Sequence, residues 1–177
     1  MLLRKILTRD EATPKLKDLS LDAKLALALV AFERFWHKHG FASDHVQAFQ
    51  DHLWQWPLLD STSFDSWYYD NVPALIDTLL AGEPPLASFE EQLKRSTLDE
   101  EMVYQMMTRI AEIVYDTIFT VENPEWTQSA LDAVLVTCNQ MGIKSPSLEP
   151  FRDFGKGRTR VSPDKVSALR ALGLREA

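Results

Sequence analysis

Cysteine is almost absent from this chain of 177 residues, which contains only Cys138. A disulfide within the chain needs two cysteines, and a cysteine-based zinc site cannot be built from a single thiolate. No surrounding motif marks Cys138 as a reactive thiol, so we interpret it as a small core residue in a helix.

Long hydrophobic runs are also missing. The longest apolar stretch, residues 25–32, has eight residues, whereas a helix that spans a bilayer needs about 20. The first residues, MLLRKILTRDE, have cations scattered through a short apolar patch instead of the continuous core of a secretory signal. We therefore predict a cytoplasmic protein with no membrane partner.

Basic residues are missing from the centre of the chain, where no Lys or Arg occurs between Lys38 and Lys94. The formal net charge of −7 is unevenly divided: residues 1–38 carry eight basic and five acidic side chains, residues 39–143 three and seventeen, and residues 144–177 eight and four. Phosphate binding needs clustered cations, so we predict no nucleic-acid partner. The cations of the carboxyl-terminal segment have a simpler use, because this arm can dock on the protein's own acidic centre.

Helical signals recur along the chain, and no period-two strand pattern persists. Ser20 and Gly40 bracket a helix that is apolar almost all round, and Ser43 and Pro57 bracket a second one. Further start and stop signals predict helices from Pro73 to Gly82, over about residues 98–120, from Asn123 to Gly142 and after Ser162.

These signals predict an all-α fold, an array of about six helices in an orthogonal or bundle-like arrangement. Hydrophobic residues make up 45% of the chain and charged residues 25%, the mixture of a globular protein long enough for one domain with a sizeable core. We predict a single helical domain over residues 1–177, with a charged lead-in (1–19), a helical core (20–142) and a basic extended arm with a terminal helix (143–177).

All four histidines, His37, His39, His45 and His52, lie within sixteen residues. Imidazoles are good metal ligands, and His45 and His52 are seven residues apart on one helix face. The spacing matches no established metal motif, and histidines near a helix carboxyl end interact favourably with the helix dipole. We predict no metal or cofactor, and a weak metal site or an enzyme built on this cluster stays an alternative.

Aromatic residues are interleaved with carboxylates in the cation-free stretch. Trp and Tyr are frequent binding anchors, and surrounding acidic groups steer a basic partner. The candidate partner-binding residues are Asp60, Asp65, Trp67, Tyr68, Tyr69 and Asp70. Two alternatives remain: some of these aromatics belong to the core, or they contact a second copy of the chain in a homodimer. Trp54 and Trp56 cannot share one helix face, so we expect at least one of them outside the core.

The acidic, helical character over residues 20–151, including the segments FERFWHKHG and MGIKSPSLEPF, resembles the small bacterial immunity proteins that neutralise a cognate toxin, often a basic nuclease. The resemblance implies a stoichiometric inhibitor of a basic partner, with no reaction of its own. It rests on no diagnostic motif and assigns no functional residue.

Overall fold

The computed structural model describes residues 15–119, 124–158 and 160–175. The α-helices in these ranges are α1 (Leu21–His39), α2 (Asp44–Leu53), α3 (Ala74–Ala81), α4 (Ala87–Lys94), α5 (Glu100–Phe119), α6 (Pro124–Gln140) and α7 (Pro163–Arg175). Short 3-10 turns occur at Leu16–Asp18, Trp56–Leu58, Glu149–Phe151 and Lys156–Arg158, and a π-helical turn at Ser66–Asp70. No strand occurs in the described ranges, so the predicted all-α class is confirmed.

The helix count differs slightly from the prediction of about six, because the described ranges hold seven α-helices. The additional helix is α4, whose two turns are too short to give a clear periodic pattern. Most of the predicted lead-in, residues 1–14, lies outside the described residues.

Helix α1 is the centre of the fold, as its apolar composition predicts. Every residue from Ala23 to Trp36 is buried. The Ser20 hydroxyl begins the helix by accepting a hydrogen bond from the backbone N–H of Ala23, and Gly40 ends it in the left-handed region at φ 60°. Helices α5, α6 and α7 all pack on α1, while α3 and α6 pack on α5.

The buried apolar side chains form one cluster, whose members run from Leu19 to Leu169 in sequence. Of the helices in the described ranges, none combines the length and apolar character that crossing a membrane would require.

The carboxyl-terminal arm folds back onto the helices. Phe151, Phe154 and Val161 are buried. The Ser20 hydroxyl donates a hydrogen bond of 2.5 Å to the Phe154 carbonyl, and the Val161 N–H donates one of 3.3 Å to the Pro57 carbonyl. The arm therefore passes the start of α1 and the turn that follows α2.

Candidate functional site

The π-helical turn Ser66–Asp70, called the aromatic turn below, carries three consecutive rings of the predicted partner-binding set. The Asn71 N–H closes the turn by donating to the Ser66 carbonyl over 3.0 Å, and the Asn71 side-chain amide donates to the Ser66 hydroxyl over 2.8 Å. An i to i+5 turn of this kind is rare and is often found at functional sites.

The three rings lie at different depths. Trp67 is 2% exposed and Tyr69 is 70% exposed, while Tyr68 is half-buried. The turn therefore buries one of its three consecutive rings and exposes another. Trp67, a member of the predicted partner-binding set, itself lies beneath the surface.

Trp67 is held against α2 by its ring and by its indole N–H. The ring stacks on His52, with centroids 4.4 Å apart and planes inclined by 8°. The indole Nε1–H donates to the His52 carbonyl over 2.9 Å. These two contacts fix the aromatic turn on the helical body.

His52 is 3% exposed, and its Nε2 lies 2.8 Å from the Tyr115 hydroxyl of α5. Burial disfavours the charged imidazolium and lowers the pKa of His52 to about 4, while a hydrogen bond with the Asn71 backbone acts in the opposite direction. A hydrogen bond raises the pKa of a histidine when it stabilises the protonated ring, so a ring N–H donates this bond to the Asn71 backbone. The neutral ring then accepts the Tyr115 O–H at Nε2.

Tyr115 joins the aromatic turn to the long helix. Its ring stacks near Trp67, with centroids 5.5 Å apart, and lies 5.8 Å from Tyr68. Burial, the charge of Asp77 and the neighbouring Tyr68 raise the pKa of Tyr115 above its ordinary value. The hydroxyl therefore remains a neutral donor to His52 at ordinary pH.

Asp60 belongs to the predicted set but organises its own loop. Its Oδ1 accepts hydrogen bonds from the backbone N–H groups of Thr62 and Ser63, both at 3.0 Å, and from their hydroxyls. Its Oδ2 lies 3.3 Å from the Arg160 guanidinium of the arm. The hydrogen bonds from Thr62 and Ser63 hold the pKa of Asp60 well below its usual range. Its oxygens are thus engaged within the chain.

Asp65 and Asp70, at the two ends of the aromatic turn, are exposed together with Tyr69. Asp77 on α3 is exposed as well, and its charge contributes to the raised pKa of Tyr68. Among the described residues, no cation forms an ion pair with Asp65, Asp70 or Asp77. We call Asp65, Tyr69, Asp70 and Asp77 the acidic face.

The carboxyl-terminal arm reaches the acidic centre at its edges. Arg160 pairs with Asp60, and Arg170 of α7 pairs with Asp51 over 2.5 Å and lies 4.0 Å from Glu33. These contacts agree with the expectation that the basic segment docks on the acidic centre. In the described ranges, they leave the acidic face without a cation from the arm.

Trp54 and Trp56, the other two tryptophans of the cation-free stretch, are not exposed. Trp54 is 3% exposed, and Trp56 is half-buried with its indole N–H donating to the Asp22 carboxylate over 3.0 Å. Burial raises the pKa of Asp22, while the bond from Trp56 opposes the rise. Trp56 thus joins the turn after α2 to the first turn of α1.

The four histidines do not come together. His37 is exposed and His39 packs on Phe35, with ring centroids 4.8 Å apart. His45 lies 2.9 Å from the Ser88 hydroxyl of α4, whereas His52 is buried beneath Trp67. Within the described residues, no group of three or more potential ligands is placed to hold a metal ion.

Tyr115 and Asp77 lie at this surface but were not among the predicted partner-binding residues. Tyr115 is one of many apolar or aromatic positions on α5, and Asp77 one of many acids, so neither has a distinctive local signal. Only packing brings them next to Tyr68.

Comparison of the chain with protein-family models, with curated proteins and with solved structures finds no match.

Proposed function

We propose that the chain is a non-enzymatic protein-binding module that holds a basic partner on its acidic face. The observation that carries this proposal is Tyr69, which is 70% exposed between carboxylates that have no cation partner among the described residues. A large exposed ring is an anchor that gains area at small entropic cost, and unpaired carboxylates around it favour a cationic surface.

The more specific form of the proposal is an immunity-type inhibitor, whose partner is a basic toxin domain. The helical fold and the acidic centre support this form of the proposal only through the general character that they share with immunity proteins. No matching family supports it. The cytoplasm is the compartment we propose for it. A homodimer formed through Tyr69 is the competing outcome, and light scattering on the purified chain distinguishes it.

Charge reversal tests the acidic face directly. The partner is first isolated from the native cells on the immobilised chain at low salt, and its affinity is then measured for the wild type and for Asp65→Lys/Asp70→Lys. Neither carboxylate makes a hydrogen bond among the described residues, so the fold should tolerate both changes. We expect affinity to fall at least tenfold, with a weaker salt dependence of the association rate.

A matched control places the same change in net charge elsewhere. Glu101→Lys/Asp132→Lys alters two exposed carboxylates on α5 and α6, each of which accepts a hydrogen bond from a glutamine one turn away. Equal loss of affinity in both double variants would mean that net charge, and not this face, governs binding. Unchanged affinity in the Asp65→Lys/Asp70→Lys variant would exclude the face.

A further inference from the structure

The aromatic turn is attached to the helices through a titratable residue. Trp67 is the only one of its five residues that is buried. Its ring lies flat on His52 at 4.4 Å, and its indole N–H bonds to the His52 carbonyl. His52 is thus one of the groups that hold Trp67 in place, together with the rings of Trp56, Phe64 and Tyr115.

Both nitrogens of the neutral His52 ring have a hydrogen-bond partner. One ring nitrogen donates to the Asn71 backbone, and Nε2 accepts from the Tyr115 hydroxyl over 2.8 Å. A second proton on the ring would occupy Nε2, so Nε2–H would have to donate to the Tyr115 oxygen, and the displaced Tyr115 O–H would lose the acceptor that it has in the closed turn.

Among the residues that the structure describes, none would provide a counter-ion for the added charge. The titratable groups around the ring are Tyr115 from α5 and, beyond it, Tyr68 from the aromatic turn and Asp77 from α3. Asp77 influences the pKa of Tyr115 and of Tyr68, whereas no carboxylate contributes to the pKa of His52. On α2 itself, Asp51 is paired with Arg170. A buried imidazolium without a carboxylate partner is costly.

We propose that His52 is an acid-sensitive switch for the aromatic turn: protonation of its ring reverses the Tyr115 hydrogen bond and places a buried charge beneath Trp67, which releases Trp67 and opens residues 66–70 while the helices stay folded. The turn carries Tyr69 and Asp70, so opening it would change the acidic face. That last consequence alone rests on the proposed function.

The direction and size of the effect follow from proton linkage. The pKa of His52 is about 4 in the closed turn, and a solvated imidazole has its ordinary pKa of about 6.5. The open state therefore binds the proton more tightly, and acid favours opening. Between pH 7 and pH 5 the ratio of open to closed turn should rise about 20-fold.

Hydrogen exchange measured by NMR tests the switch without any partner. The readouts are the protection factors of the Trp67 indole N–H and of the backbone amides of the turn, corrected for the intrinsic pH dependence of exchange. In the wild type we expect them to fall about 20-fold between pH 7 and pH 5. In His52→Gln, which cannot be protonated, they should stay constant. His45→Gln, on the same helix, is the matched control and should behave like the wild type.

Three results would overturn the switch. The first is an equal acid response in His52→Gln, and the second is constant protection in the wild type. The third is loss of helical circular dichroism together with the protection of Trp67, which would mean global unfolding instead of a local opening.

Tyr115→Phe provides a second test of the switch in case His52→Gln does not fold. Removing the hydroxyl leaves Nε2 of the buried neutral ring without its donor, a cost that the open turn avoids, so the protection of the Trp67 indole N–H should already be lower than in the wild type at pH 7. Unchanged protection would show that Tyr115 plays no part in holding the turn closed. Charge reversal at Asp65 and Asp70 tests the binding face, and its result does not depend on whether the turn opens in acid. Failure of the switch can therefore be distinguished from failure of the binding face.

Discussion

Arg34 is expected to fix the carboxyl-terminal helix on the central one, and replacing it by methionine tests this role. Arg34 lies on α1 and is 3% exposed. Its Nε and Nη2 each donate to the Leu172 carbonyl over 3.3 Å, and its Nη1 donates to the Lys144 carbonyl over 3.2 Å. One guanidinium thus joins α7 and the start of the arm to the centre of the fold.

The magnitude follows from what Arg34→Met leaves behind. Leu172 lies in the last four residues of α7, where carbonyls have no intrahelical partner. Lys144 lies in the arm, outside regular structure. A buried carbonyl left without its donor costs about 1–3 kcal/mol. Leu172 is partly buried, whereas Lys144 is exposed and water can replace the donor there; the methionine retains much of the packing of the arginine stem. We expect the free energy of unfolding to fall by about 2 kcal/mol, a large share of the stability of a typical domain.

Urea unfolding followed by circular dichroism measures this loss, and hydrogen exchange on α7 locates it. Arg34→Lys keeps the charge but not the planar fork that reaches two carbonyls, so it should lose most of the same free energy. Arg109→Met is the matched surface control. That arginine pairs with Glu112 over 2.8 Å and its side chain is 48% exposed, so its loss should cost less than about 1 kcal/mol.

This role of Arg34 would be refuted if the free energy of unfolding of Arg34→Met lay within about 1 kcal/mol of the wild-type value. It would also fail if stability fell while the amides of α7 kept their protection relative to those of α5. In either case the arm and α7 would be held by apolar contacts alone.

Two further predictions concern single positions. Cys138 is 2% exposed, and burial raises the pKa of its thiol to about 12. A thiol reagent at pH 8 should therefore label Cys138 only when the chain is unfolded in urea. Rapid labelling of the folded chain would contradict this prediction. Gly173→Ala should lower the free energy of unfolding by about 1–3 kcal/mol, because a Cβ at this position would lie 2.9 Å from the Cβ of Glu33. The helix propensity of alanine alone would instead predict a gain in stability. Such a gain would show that α1 and α7 can move apart.

Much of the helical organisation could be predicted because its signals are local. The Ser20 cap and the Gly40 end of α1 depend on residues within a few positions, as does the start of α3 after Pro73. The burial of α1 was likewise visible, since its apolar residues leave no polar face. Ser43 shows the limit of such signals, because it precedes α2 yet its hydroxyl makes no capping hydrogen bond.

The candidate site could be predicted only in part. The sequence placed carboxylates and aromatic rings in one cation-free segment, and Asp65, Tyr69 and Asp70 do reach the surface. It did not distinguish these from Trp67, because adjacent residues in a turn have no periodicity that separates an inner from an outer face.

The sequence by itself determined the helical class, the central helix and the separation of acidic and basic segments, since these follow from propensity, spacing and composition. Tertiary structure decided which acidic and aromatic groups remain available. His52 meets Tyr115 across 63 positions, and Asp60 meets Arg160 across 100. The pKa of His52 and the unpaired state of the acidic face depend on these distant contacts, because burial and hydrogen bonding are properties of the packed chain and not of its local order.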